Sequence, residues 1–135
     1  MTFVLRFCHQ FPWGKALLLW ALVIFYFSSL AGSPYPLEVT SSYYIERKGA
    51  HVFEYAILAV LLVGFLRRFF RQAHFWEVAL LSLFLSGFYG VTDELHQYFV
   101  PYRGAKLSDV GIDILGAFFG LSIASLLRHL FLRKK

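Results

Sequence analysis

Charge is scarce in this chain. Only 16% of its 135 residues are Asp, Glu, Lys or Arg, where soluble domains carry roughly 25%. Cysteine is scarcer still: the lone Cys8 excludes an intramolecular disulfide, and its position ahead of the first apolar run argues against a lipoprotein-type anchor. Prolines number four, three of them in linkers between apolar runs. There is no low-complexity stretch, no repeat and no segment polar enough to form a separate soluble domain. What fills the chain is oil, with 59% hydrophobic and 20% aromatic residues and a mean hydropathy of +0.61. A soluble fold of this length has one modest core and cannot hide so much apolar surface. The excess requires lipid.

Four runs are long enough to cross a hydrocarbon layer, which takes about 20 helical residues. They cover Lys15–Ala31, Lys48–Leu66, Trp76–Phe99 and Ser108–Leu132. Short linkers join them: Gly32–Arg47 with Pro34 and Pro36, Arg67–Phe75, and Val100–Leu107 with Pro101 and Gly104. The runs are continuous rather than alternating, which favours helices over a barrel. The expected fold class is all-α, a single domain over residues 1–135 built as an integral membrane bundle of four helices. The first run, ending in Ser29, Leu30 and Ala31, has features of a cleavable secretory signal. It is longer and more aromatic than such signals usually are, so a retained helix is expected.

The net charge of +5 does not point to nucleic acid, because the basic residues gather at the ends of the apolar runs. One side of the membrane receives Arg6, Lys15, Arg67, Arg68, Arg71, Arg128, Arg133, Lys134 and Lys135; the other receives Arg47, Lys48, Arg103 and Lys106. The richer side should be cytoplasmic. Both termini and Cys8 are then expected inside, in a multi-pass protein of the cytoplasmic (inner) membrane.

That topology explains the densest polar passage, "YGVTDELHQYFVPYRGAKLSDVGID" (Tyr89 to Asp113). Asp93 lies seventeen residues beyond Trp76, roughly 26 Å along a helix and near the outer surface. Lys48, His51 and Glu54 open the second run from outside, and Asp109 and Asp113 open the fourth. Helical phase groups them further at about 100° per residue. Lys48, His51 and Tyr55 share one face. Ser86, Gly90, Asp93, Glu94 and Gln97 form a stripe from which His96 points away. Asp109 and Asp113 stand above Gly116 and Gly120, a Gly-x-x-x-Gly surface for close helix packing. An acid facing lipid is costly, so the stripes should face one another around an outward-facing polar pocket.

Plainer roles are available for several of these groups. Asp109 suits a helix N-cap, Arg47 and Lys48 can snorkel, and Tyr43, Tyr44 and Tyr98 suit an interfacial belt. His51, Asp93, Glu94 and Asp113 are the stronger candidates, because ionisable groups within a membrane default to function.

The stretch "KGAHVFEYAIL" followed by "YGVTDELHQYFVPYRGAKLSDVGIDILGAFFG" closely resembles the VanZ-like family of small bacterial membrane proteins. The family pattern falls on Lys48, His51 and Tyr55; on Asp93, Glu94 and Gln97; on Pro101 and Arg103; and on Asp109, Asp113 and Gly116. Ser28 and Ser29 match the family's Ser-rich end of the first span. Many members carry Asn near the position of Asp113. The resemblance implies a role in the bacterial cell envelope, and the family's namesake is linked to teicoplanin resistance.

Three functions are compatible with these residues. The first is binding of an anionic envelope lipid or a peptidoglycan-linked head group by a pocket of Lys48, His51, Tyr55, Asp93, Glu94, Gln97, Arg103, Asp109 and Asp113, with Lys106 as a further phosphate contact. The second is catalysis on a lipid-linked substrate, with His51 as general acid or base, Asp93 or Glu94 orienting it, and Arg103 stabilising developing charge. The third is a cation or proton pathway using His51, Glu54, Asp93, Glu94 and Asp109. No cofactor is expected, and no close pair of histidines suggests zinc. The nearly uncharged inner halves of the spans argue against a through-channel.

Overall fold

In the computed structural model, residues 12–32 and 41–132 are described. Arg6, Cys8, Pro34, Pro36, Arg133, Lys134, Lys135 and the side chains of Tyr43 and Tyr44 lie outside the described residues. The chain forms α1 (Trp13–Ser29), α2 (Ser41–Leu66), α3 (Phe75–Tyr98) and α4 (Leu107–Leu132). It is an all-α membrane bundle. Three helices are long and apolar enough to cross a membrane, with stretches at Ile45–Leu66, Phe75–Tyr98 and Leu107–Leu130. The 17-residue α1 is apolar but shorter, about 25 Å at 1.5 Å per residue.

The boundaries follow local chemistry. Pro12, with no N–H to lose, directly precedes α1. Helix α1 runs from Trp13 to Ser29, rather than from Lys15 to Ala31, because Leu30 turns extended. Helix α2 begins at Ser41 rather than Lys48: hydropathy marks only the apolar part, whereas nothing between Ser41 and Arg47 breaks a helix. At the start of α3 the Glu77 carboxylate accepts from the His74 N–H at 2.7 Å. Arg67 donates to the Ala73 carbonyl at 2.7 Å and closes the α2–α3 turn.

Successive helices run antiparallel, and α2 makes its most extensive contact with α4. Glycine makes that contact possible. A Cβ at Gly116 would sit 2.5 Å from the Val52 carbonyl oxygen, and one at Gly120 would meet the Ala56 backbone. Helix α1 leans on α2 and α3. The core includes Ile24, Tyr55, Leu58, Val63, Val78 and Leu121. Large apolar side chains such as Leu19, Phe84 and Phe119 remain more than half exposed, the arrangement expected when lipid is the solvent.

Candidate functional site

The C-terminal ends of α1 and α3 meet the N-terminal ends of α2 and α4 at one end of the bundle. The α3–α4 connection is a tight turn in which the Arg103 N–H donates to the Val100 carbonyl at 3.2 Å. Pro101 and Tyr102 occupy its centre, and Tyr102 has φ of 59°. Proline suits the first central position of such a turn, and the second is one that glycine usually takes. The turn brings Arg103 back onto α1, where its Nη2 donates to the Phe27 carbonyl at 3.0 Å. Nearby, the Gly32 N–H donates to the Pro101 carbonyl at 3.0 Å. Further contacts fix α1 in place: Tyr89 Oη donates to the Ala21 carbonyl at 2.7 Å, and Trp20 Nε1 to the Glu54 carbonyl at 2.8 Å.

These contacts enclose a cavity of roughly 400 Å³. Ile24, Phe27, Leu30 and Ala50 give it an apolar side; Arg47, His51, Glu54, Asp93, Gln97 and Arg103 supply charge and hydrogen bonding. Ser28 lines it as well; it is buried, and its Oγ has no hydrogen-bond partner. Asp93 is buried and accepts from Gln97 Nε2 at 2.9 Å. That bond spans one helical turn and fixes the carboxylate's orientation.

Beside the cavity runs a second polar group, a seam between helices. Asp113 is fully buried, and its Oδ1 lies 2.9 Å from His51 Nδ1. Asp113 Oδ2 has no partner, and a Cβ on Gly90 would stand 2.9 Å from it. Glycine at that position leaves the carboxylate its room. Lys48 pairs with Asp109 at 3.3 Å, while Ser108 Oγ lies 3.1 Å from the same oxygen. Glu94 Oε2 accepts the Lys106 main-chain N–H at 2.7 Å and ties α3 to the start of α4. Tyr55 is buried against Tyr89, with ring centroids 6.2 Å apart.

Of the nine residues expected in one pocket, the cavity gathers His51, Asp93, Gln97 and Arg103. Lys48, Tyr55, Glu94, Asp109 and Asp113 lie outside its lining, in the seam or the core. Only His51 belongs to both groups. The carboxylate that orients it is Asp113, not Asp93 or Glu94, because Asp113 faces α2 directly across the glycine-lined contact. Glu94 meets neither Lys48 nor Arg103 in a hydrogen bond; a backbone amide holds it. His96 turns away from the stripe, lying 3.0 Å from Ser29 Oγ and stacking on Phe25 at 4.6 Å between centroids.

Arg47, Glu54 and Ser28 line the cavity as well, although none is among the nine residues expected to bind a head group; Glu54 is expected only as part of a cation or proton pathway. A signal for two of them existed: Arg47, His51 and Glu54 stand at i, i+4 and i+7, a helical face as good as the one containing Lys48 and Tyr55. Among the described residues, no group of three or more His, Cys, Asp or Glu side chains is arranged to hold a metal ion.

No curated protein and no solved structure matches the chain. Residues 13–128, which include all four helices' contributions to the cavity and seam, match the family described as VanZ/LLP1, and this multi-pass membrane protein belongs to it.

Proposed function

We propose that the protein binds the head group of an anionic envelope lipid, or of a peptidoglycan-linked lipid, in the cavity beside Arg103. The observation that carries this reading is the lining itself. Two guanidinium-bearing residues, Arg47 and Arg103, share the lining with the apolar side chains of Ile24, Phe27 and Leu30. Guanidinium groups recognise phosphate oxygens in pairs, and the apolar part of the lining suits the attached chain. The volume lies within the usual range of small-ligand sites. The uneven distribution of basic residues, nine against four, supports an inner-membrane topology with both termini inside and the cavity facing outward. From that position the protein would affect susceptibility to glycopeptides such as teicoplanin by engaging envelope lipid at the outer leaflet.

The test is lipid retention. Purified protein should carry a phosphate-bearing lipid through detergent exchange, detected by native mass spectrometry. Arg103→Gln should reduce that retention about tenfold or more, given the strength of charge-assisted contacts, while Arg103→Lys should restore part of it. Unchanged retention in Arg103→Gln and Arg47→Gln would overturn the reading.

The His51–Asp113 pair favours a second reading, a membrane-embedded enzyme acting on a lipid-linked substrate. With Nδ1–H donated to a buried carboxylate, the neutral ring keeps its Nε2 lone pair to accept a proton from water. Turnover lost in Asp113→Asn with binding intact would support catalysis; turnover unaffected by that change would exclude the dyad.

A further inference from the structure

Among the described residues the cavity sets two acids against two arginines, and this constrains its occupant more tightly than the arginines alone do. Resting on the phosphate-binding part of the head-group reading above, and replacing its anionic lipid by a zwitterionic one, we infer that the preferred ligand carries a primary ammonium beside its phosphate, as a phosphoethanolamine head does.

Against Arg47 and Arg103 the cavity sets two carboxylates, Glu54 and Asp93. A purely anionic head group placed there would meet repulsion from both acids along with attraction to both bases. A head group with a cation at one end and an anion at the other meets complementary charge at each. The acids are also placed to act together. Glu54 and Asp93 line the same cavity from facing helices, α2 and α3, together with Arg103.

Hydrogen bonding narrows the cation. Among the described residues the Glu54 carboxylate has no hydrogen-bond donor, and Asp93 has one, Gln97, on Oδ2 alone. His51, whose Nδ1 faces Asp113, also lines the cavity, and its Nε2 is a further acceptor whenever the ring is neutral. Ser28 Oγ, buried and without a partner, can accept or donate. A set of acceptors from α1, α2 and α3 calls for a ligand with several N–H donors. A primary ammonium has three, whereas a quaternary ammonium has the charge and no donor. Among the described residues the lining has a single aromatic ring, Phe27, short of the aromatic cage that quaternary cations use.

The full chain, reconstituted with phosphatidylethanolamine, phosphatidylcholine and phosphatidylglycerol in equal amounts, distinguishes these possibilities by native mass spectrometry of the retained lipid. The expected result is enrichment of phosphatidylethanolamine over each of the others by on the order of tenfold, the scale of one or two charge-assisted hydrogen bonds. Glu54→Gln and Asp93→Asn, both isosteric, should erase the preference over phosphatidylglycerol while leaving that lipid's retention at or above the wild-type level. Preference of the wild-type protein for phosphatidylglycerol would overturn the inference and leave the anionic head-group reading standing. Equal retention of phosphatidylcholine and phosphatidylethanolamine would overturn the hydrogen-bonded ammonium. Retention of none of the three above the detergent background would overturn both.

Discussion

Replacing Gly116 with alanine adds one methyl group at the closest approach of α2 and α4. The new Cβ would lie 2.5 Å from the Val52 carbonyl oxygen and 2.8 Å from the Val52 Cα. Both are backbone atoms of a helix and cannot rotate aside. Ordinary contact begins at 3.4 Å, so the two backbones must part locally by about 0.9 Å. Overpacking of this kind costs ~1–3 kcal/mol. Alanine also gains up to about 1 kcal/mol over glycine in a helix, which would partly mask the clash. Gly111, on the same helix, separates the two effects, since a Cβ there meets nothing within 4 Å. Gly111→Ala should therefore match or slightly exceed the wild type in stability, and Gly116→Ala should fall below Gly111→Ala by ~1–3 kcal/mol. The separation also reaches the polar seam. Asp113 lies one turn before Gly116, and its bond to His51 is 2.9 Å long; a further 0.9 Å would leave no hydrogen bond. Reversible unfolding of the three proteins in one detergent measures the difference. A Gly116→Ala protein as stable as Gly111→Ala would refute the close-packing account, and with it the claim that this contact positions Asp113.

Glu94→Gln should lower stability on the order of 1 kcal/mol by weakening a charge-assisted bond, whereas Lys106→Ala should not, because the donor is the main-chain N–H; equal losses by thermal melting would move the interaction to the lysine ammonium. The Lys48–Asp109 pair is partly exposed, at 44% and 21% of the side chains, so Lys48→Met should cost less than about 1 kcal/mol, and a larger loss in the same melting assay would contradict solvent screening there. The charge distribution predicts that, in a Cys8→Ser background, an impermeant thiol reagent applied to intact cells modifies Lys106→Cys and spares Arg71→Cys. The reverse pattern would invert the topology.

Sequence alone was enough for the bundle, because lipid imposes a rule that one chain displays openly: a helix that crosses must be apolar for its whole crossing length. The same rule made Asp93, Glu94 and Asp113 conspicuous, since charge among such residues stands out. Phase along a single helix also grouped Asp109 and Asp113 above Gly116 and Gly120. Partner choice across helices was another matter. Whether His51 meets Asp93, Glu94 or Asp113 depends on the rotation and depth at which α2, α3 and α4 pack, and a shift of one turn exchanges one acid for another. Tertiary packing decided for Asp113, tied Glu94 to a backbone amide that no side-chain pattern announces, and divided the expected single pocket into a cavity and a seam. It also brought Arg47, Glu54 and Ser28 to the cavity, because its shape depends on where α1 leans and where the Val100–Arg103 turn delivers a guanidinium. Periodicity fixes which way a side chain leaves its own helix; only packing determines what it finds there.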